Sequence, residues 1–141
     1  MSLDLIVILA TSKAPNADAW SKALSEAHLP VAFSPGVDLK HDTGFIPMQV
    51  DGRKSGFYFY PGSYREAAAL YSAVSGIHLD DPTVYDLNYG GHFDECAAVF
   101  FSASVLVSRF NGVAFDPQAG AFMTAKQLRD AGSQCLKLWP K

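Results

Sequence analysis

Apolar and polar residues recur along the chain with the period of a strand in some segments and that of a helix in others. Leu3–Ala10 is a continuous apolar run, which predicts a strand covered on both faces. Apolar residues at helical spacing predict a helix over about Ala17–Ala27. A longer helix, from about Phe93 to Phe110, is apolar almost all round, so we expect it to lie at the centre of the fold.

A hairpin is predicted in the first half of the chain. Its arms are Phe45–Val50 and Lys54–Tyr60, joined by Asp51-Gly52, a pair that tolerates the positive φ of a tight turn. Alternation along the second arm places Phe57 and Phe59 in the core and the intervening tyrosines on the other face.

Proline and capping residues set the remaining boundaries. Pro47 predicts that the first hairpin arm is an edge or carries a bulge, and Pro61-Gly62 is expected to end the second arm. Ser63 and Glu66 form a possible capping box for a helix that Gly76 would end. A second capping box, Thr124–Gln127, opens a last helix over Ala125 to about Lys137. Further strands are predicted at Val31–Phe33, Thr83–Tyr89, Val113–Phe115 and Ala121–Met123.

These elements predict an α+β fold with four helices in a single compact domain spanning residues 1–141. The expected order is β-α-β-β-β-α-β-α-β-(β)-α. A hairpin and short connections require some antiparallel pairing, so a mixed or antiparallel sheet is favoured over a doubly wound parallel one.

Charge and composition exclude some classes of partner and indicate a cellular compartment. The 141 residues include 11 Lys or Arg and 14 Asp or Glu, a net charge of −3, which argues against nucleic acid as a partner. The apolar run Leu5–Ala10 is short for a signal peptide and no basic residue precedes it. No segment is long and apolar enough for a bilayer, so no membrane partner is expected. Cys96 and Cys135 form no CxxC motif, and we expect both to be reduced and buried in a cytoplasmic protein.

Acidic residues are concentrated in one part of the sequence. Between Glu66 and Ser108 there are six acidic residues and no Lys or Arg, whereas the rest of the chain has eleven basic and eight acidic residues. The alternative explanation is that this segment is largely buried helix, where few charges of either sign are expected. Four of the acids lie in or next to predicted loops and could form an acidic face for a basic protein partner. They are Asp80, Asp81, Asp86 and Asp94.

Residues of the types used in catalysis are most concentrated in the segment Tyr89–Cys96. This segment lies at a predicted junction of strand, glycine turn and helix. His92 could act as a general base oriented by Asp94 or Glu95, which would make the protein a small hydrolase or transferase. The competing interpretation is ordinary: glycines turn the chain and acidic residues cap the helix. The histidines lack metal-ligand spacing, so no metal or cofactor is expected.

A third hypothesis is a carrier with a tyrosine-lined cavity, although such aromatic clusters are more typical of a core. The tyrosines concerned are Tyr58, Tyr60, Tyr64 and Tyr71.

Three pieces of the chain resemble a group of small bacterial proteins of unassigned function, some of them immunity-like and encoded near secreted toxins. The pieces are Gly44–Met48 running into Ser55–Phe57, Gly90–His92 with Glu95, and Asn111–Gln118. The resemblance implies a compact cytoplasmic α+β binding protein and transfers no functional residue. Together with the charge pattern, it predicts a non-enzymatic protein-binding module, one form of which is an immunity-type inhibitor. The oligomeric state is not predicted.

Overall fold

The computed structural model describes residues 3–141, which contain seven strands and four α-helices. The strands are β1 (Leu3–Ala10), β2 (Val31–Phe33), β3 (Gly44–Val50), β4 (Arg53–Ser63), β5 (Pro82–Tyr89), β6 (Val113–Asp116) and β7 (Ala121–Met123). The helices are α1 (Ala17–Glu26), α2 (Tyr64–Leu70), α3 (Phe93–Arg109) and α4 (Ala125–Leu138).

All seven strands form one sheet in the order β2-β3-β4-β5-β1-β6-β7, and every neighbouring pair is antiparallel. The predicted α+β class, single domain and order of elements are confirmed. The first strand lies inside the sheet, between β5 and β6. Its residues 5–9 are buried on both faces, because Leu5, Val7 and Leu9 belong to the core with α3, and Ile6 and Ile8 pack in the core with α2.

Three helices cover one face of this sheet. Helix α3 packs on β4 and β5 and contacts both α1 and α4, and its residues 97–106 are all buried. Trp20 of α1 is fully buried, and its Nε1 donates a hydrogen bond of 2.9 Å to the carbonyl oxygen of Ser102 in α3. The prediction of a central α3 is confirmed, as is the placement of Phe57 and Phe59 in the core.

A disulfide joins Cys96 at the start of α3 to Cys135 near the end of α4, with 5.9 Å between the two Cα atoms. The prediction that both cysteines are reduced is therefore wrong. Sequence spacing of 39 residues gave no indication that the first turn of one helix would meet the last turns of another. Structural disulfides are typical of oxidising compartments, and the cytoplasmic location stays a prediction.

The helix predicted to end at Gly76 is shorter than expected. Helix α2 stops at Leu70, because Tyr71 adopts an extended conformation, and Ser72–Gly76 forms a separate 3-10 turn. Ser63 caps α2 by accepting a hydrogen bond of 3.1 Å from the Glu66 amide, which is one half of the predicted capping box; the return bond from the Ser63 amide to the Glu66 side chain is absent from the described residues. Leu70, the last residue of α2, is 74% exposed.

Both proline predictions in the hairpin need correction. Strand β3 is not an edge, since β2 lies outside it, but β2 is short and ends opposite Met48. Pro47 therefore lies just beyond the β2–β3 ladder, so the N–H group that proline lacks is not needed for a hydrogen bond to β2. Strand β4 continues through Pro61 to Ser63, paired with β5, instead of ending at Tyr60.

The predicted hairpin turn and the predicted capping box of α4 are confirmed. Asp51 and Gly52 both have positive φ, as the hairpin turn requires. At the start of α4, Thr124 and Gln127 form the complete capping box, with each side chain bonded to the other residue's amide.

Candidate functional site: the open face of the sheet

The second face of the sheet is covered only in part. Helix α2 and the 3-10 turn pack over β5, β1 and β6, where they enclose a small core that includes Ile6, Ile8 and Phe115. No helix among the described residues covers β3 or the neighbouring part of β4 on this side. We call this uncovered region, with the strip of β5 and β1 beside it, the open face.

Exposed aromatic side chains occupy the open face. Phe45 is 47% exposed, Tyr58 40% and Tyr60 44%, although all three lie within paired strands. Phe45 and Tyr58 are cross-strand partners, with ring centroids 5.4 Å apart in an edge-to-face arrangement. Single exposed apolar residues are ordinary, but a contiguous aromatic group on one side of a sheet is typical of an interaction surface.

Two carboxylates lie next to these aromatic rings. Asp86 of β5 is the cross-strand partner of both Tyr60 and Ile6, and Asp4 of β1 is the partner of Asn88. Side chains alternate between the two faces of a strand, so Asp4 and Asp86 share the open face and are diagonal neighbours across the β1–β5 ladder.

The surroundings of Asp86 disfavour its charge. Partial burial and then the Asp4 carboxylate raise the pKa of Asp86 to about 6, against the smaller opposing effect of a 2.6 Å hydrogen bond from Asn88 Nδ2. Asp4 accepts a hydrogen bond of 3.2 Å from Gln118 Nε2. Within residues 3–141, no Lys, Arg or His nitrogen lies within 4.0 Å of either carboxylate. Two half-buried carboxylates therefore share this face with no contacting cation among the described residues, and Lys54, on the same side of β4, lies four residues before Tyr58.

A cavity of about 220 Å³ lies between Asp86 and helix α2. Its walls include Tyr60, Leu70 and Tyr71, and Glu66 stands at its rim as a further acid. Burial raises the pKa of Tyr71, and the carboxylates of Asp4 and Asp86 add to this rise, so its phenol is neutral at physiological pH. The cavity thus combines aromatic walls with negative charge.

The four aspartates predicted to form an acidic face do not lie together. Asp80 and Asp81 are exposed and immediately precede β5, whereas Asp94 follows its other end, on the helix-covered side. Eight strand residues separate the two ends by roughly 27 Å. Only Asp86 lies on the open face, and it is half-buried in mid-strand instead of exposed beside a loop.

His92, Asp94 and Glu95 are close in sequence but do not form a catalytic group. His92 is the exposed N-cap residue of α3 and makes no side-chain hydrogen bond within the described chain. The Asp94 carboxylate accepts a 2.7 Å hydrogen bond from Ser55 Oγ, and Glu95 Oε1 accepts one of 2.8 Å from the Gly90 amide. The two acids therefore brace the turn before α3, and neither orients the imidazole.

The part of the chain that the structure describes holds no cluster of three or more His, Cys, Asp or Glu residues able to bind a metal ion. No helix within it is long and apolar enough to cross a membrane.

The sequence interpretation missed Phe45 and Asp4 as surface residues. Of the four tyrosines that it placed around a possible cavity, Tyr60 and Tyr71 line the cavity beside Asp86. A signal was present for Asp4, because a charged residue interrupts the otherwise apolar start of β1. None was visible for Phe45, since nothing in the local pattern says whether a helix covers the strand that carries it.

The chain matches no protein-family model, no curated protein and no solved structure. The resemblance to immunity-like bacterial proteins accordingly stays a prediction.

Proposed function

We propose that the protein is a non-catalytic protein-binding module that engages its partner through the open face. The observation that carries this proposal is the juxtaposition of Phe45, Tyr58 and Tyr60, all exposed, with the carboxylates of Asp4 and Asp86, which no cation of residues 3–141 contacts.

The aromatic residues would supply most of the contact energy. Tyrosine and phenylalanine are enriched at protein interfaces, because they bury large areas at a low cost in side-chain entropy. Here they are held by paired strands, so little backbone ordering is needed on binding. A partner that covers Phe45 and Tyr58 would also exclude water from the neighbouring acids.

The carboxylates favour a partner that brings a basic side chain. Excluding water from Asp86 and Asp4 without a cation would cost free energy, because their negative charges would remain unpaired. An Arg or Lys beside Asp86 would offset that cost, and a guanidinium could also stack on Tyr60. The proposal therefore keeps the basic partner that the sequence predicted. It changes the acidic residues that would bind this partner, from the four aspartates predicted together to Asp86 and Asp4.

An immunity-type inhibitor of a basic toxin would be one protein of this class. The hydrolase or transferase alternative has no support from the positions of His92, Asp94 and Glu95.

Site-specific photo-crosslinking tests the proposal. A benzoylphenylalanine placed at Tyr58 should cross-link a discrete partner protein in cells that produce the chain. The same probe at Gln134, exposed on α4, serves as the matched control and should give no such product. The product at position 58 should weaken when Asp86→Asn is added and when the ionic strength is raised.

Equal labelling at positions 58 and 134, or no product at position 58, would overturn the use of the open face. Labelling at position 58 that is indifferent to Asp86→Asn and to salt would keep the face and reject the basic partner.

A further inference from the structure

A second concave site lies on the helix-covered side of the molecule, at the end of the sheet where β1 leaves and β5 enters. It is a cleft of about 740 Å³ between the N-terminus of α1 and the loop that precedes β3. Its lining combines apolar side chains, Val37 and Leu39 among them, with groups able to donate hydrogen bonds.

Tyr85 forms the inner wall of this cleft. Its side chain is only 8% exposed, and the ring lies between Trp20 and Phe59, with centroid distances of 6.1 and 4.8 Å. The Tyr85 hydroxyl has no hydrogen-bond partner within residues 3–141, while no fully buried side-chain oxygen or nitrogen there lacks one. The hydroxyl is therefore the part of the residue that reaches the cleft. Burial raises the pKa of Tyr85, so the group is a hydrogen-bond donor at neutral pH.

The first turn of α1 adds further donors. Asn16 Oδ1 accepts from the Ala19 amide, and the Asn16 carbonyl accepts from the Trp20 amide. The amides of Ala17 and Asp18 have no partner in the described chain, and both residues line the cleft. Free amides at a helix N-terminus point outward and favour an acceptor with negative charge.

Charged side chains face the cleft with both signs. Lys40 lines it and forms no salt bridge within the described residues. Asp38 is occupied within its own loop, where its two oxygens accept hydrogen bonds from the Lys40 amide and His41 Nδ1. Two acids of the lining oppose an anion: Asp18, in the first turn of α1, and Asp38, whose pKa is lowered, chiefly by the hydrogen bond with His41, so that it keeps its charge.

We propose that this cleft binds a small carboxylic acid with a short apolar tail. The carboxylate accepts hydrogen bonds from the Tyr85 hydroxyl and the first amides of α1, Lys40 adds charge attraction, and the tail packs on Val37 and Leu39. The site is separate from the open face and does not depend on the protein-binding role.

Titration of ¹⁵N-labelled protein with butyrate, followed by NMR, tests the assignment. We expect saturable shifts of the Ala17 and Asp18 amides, and no saturation with 1-butanol or butylammonium, which lack the carboxylate. Tyr85→Phe preserves the ring and should weaken butyrate about tenfold, the loss expected for one hydrogen bond to a charged acceptor. Lys40→Met, a surface change, should also weaken binding.

Asp18→Asn provides the opposite control, since removing its charge should tighten butyrate binding about threefold. Butyrate that fails to saturate these amides would overturn the site. Equal shifts with butanol would overturn the carboxylate specificity. Unchanged butyrate affinity in Tyr85→Phe would show that the Tyr85 hydroxyl does not bind the carboxylate.

Discussion

The two faces of the sheet differ in what covers them, and adjacent residues of β4 show the contrast within one strand. Phe57 and Phe59 are 0% and 1% exposed beneath α3, whereas Tyr58 and Tyr60 between and after them are 40% and 44% exposed. Alternation tells which side chains share a face. Whether that face becomes core or surface is decided by helices from distant parts of the chain.

The two faces also differ in how their polar groups are paired. On the covered face Trp20 Nε1 has its carbonyl acceptor, and the Tyr85 hydroxyl at the cleft, which has no partner within residues 3–141, is uncharged at neutral pH. On the open face, Asp86 keeps a charge that its surroundings disfavour. Groups that reduce the stability of a folded chain are commonly retained for binding, which is why the open face is the proposed interface.

The largest expected difference is in stability, between neighbours on β4. Phe59→Ala should lower the free energy of unfolding by about 3–5 kcal/mol, because it removes a buried ring and leaves a cavity. Tyr58→Ala should cost less than about 1 kcal/mol, because its ring is partly solvated already. Urea unfolding of both variants measures the contrast, and equal losses would mean that the open face is covered in solution.

The disulfide belongs to the covered face alone, since it ties α3 to α4. Closing a loop of about 39 residues is worth roughly 2–4 kcal/mol, chiefly by restricting the unfolded chain. The double variant Cys96→Ala with Cys135→Ala should lose that much in thermal or urea unfolding. A thiol assay on the unfolded, unreduced protein should find no free thiol. Two free thiols would restore the prediction of reduced cysteines.

Gly132 tests how tightly the covered face is packed. A Cβ at this position of α4 would lie 2.9 Å from ring atoms of Phe101 in α3, and both residues are buried. Overpacking should outweigh the better helix propensity of alanine, so Gly132→Ala should destabilise the protein by about 1–2 kcal/mol. Ser133→Ala, exposed on the same helix, is the control and should be neutral or slightly stabilising. A stabilising Gly132→Ala would show a looser contact between α3 and α4.

The smallest expected effect is the pH dependence of the open face. The folded-state pKa of Asp86 is raised to about 6, so the folded state binds a proton more tightly than the unfolded state. Its unfavourable contribution is absent below the unfolded pKa and is complete once pH has risen through about 6. Asp86→Asn should therefore stabilise the protein at pH 7.5, by on the order of 1 kcal/mol after allowing for solvent screening.

At pH 4 the same variant should gain little or nothing. Chemical denaturation at the two pH values measures the difference. An equal gain at both would attribute it to packing and not to charge.

Much of the covered face could be predicted from sequence, because its signals are local. The Asp51-Gly52 turn, the Thr124 capping box and the apolar run of α3 each specify their own geometry. Local signals failed where distant segments meet. Tyr71 breaks helix α2 where its ring packs on Phe115 of β6, and the pairing of Cys96 with Cys135 depends on how α4 docks.

The candidate site was less predictable for the same reason. Asp86 was identified, but through its place in an acidic stretch, and that argument grouped it with Asp80 and Asp94, from which the strand separates it. Its relation to Asp4 and Tyr60 comes from the order of strands in the sheet, which the sequence does not specify. Clusters built across strands need the topology before they can be recognised.

The most direct measurement compares two acidic positions in the same binding assay. The affinity of the partner captured at position 58 should fall at least tenfold in Asp86→Asn, because its basic side chain loses a desolvated counter-charge. It should change less than about twofold in the double variant Asp80→Asn with Asp81→Asn, whose exposed charges lie away from the open face. The reverse result, loss at Asp80 and Asp81 with Asp86→Asn unaffected, would contradict the account and move the interface to the end of β5.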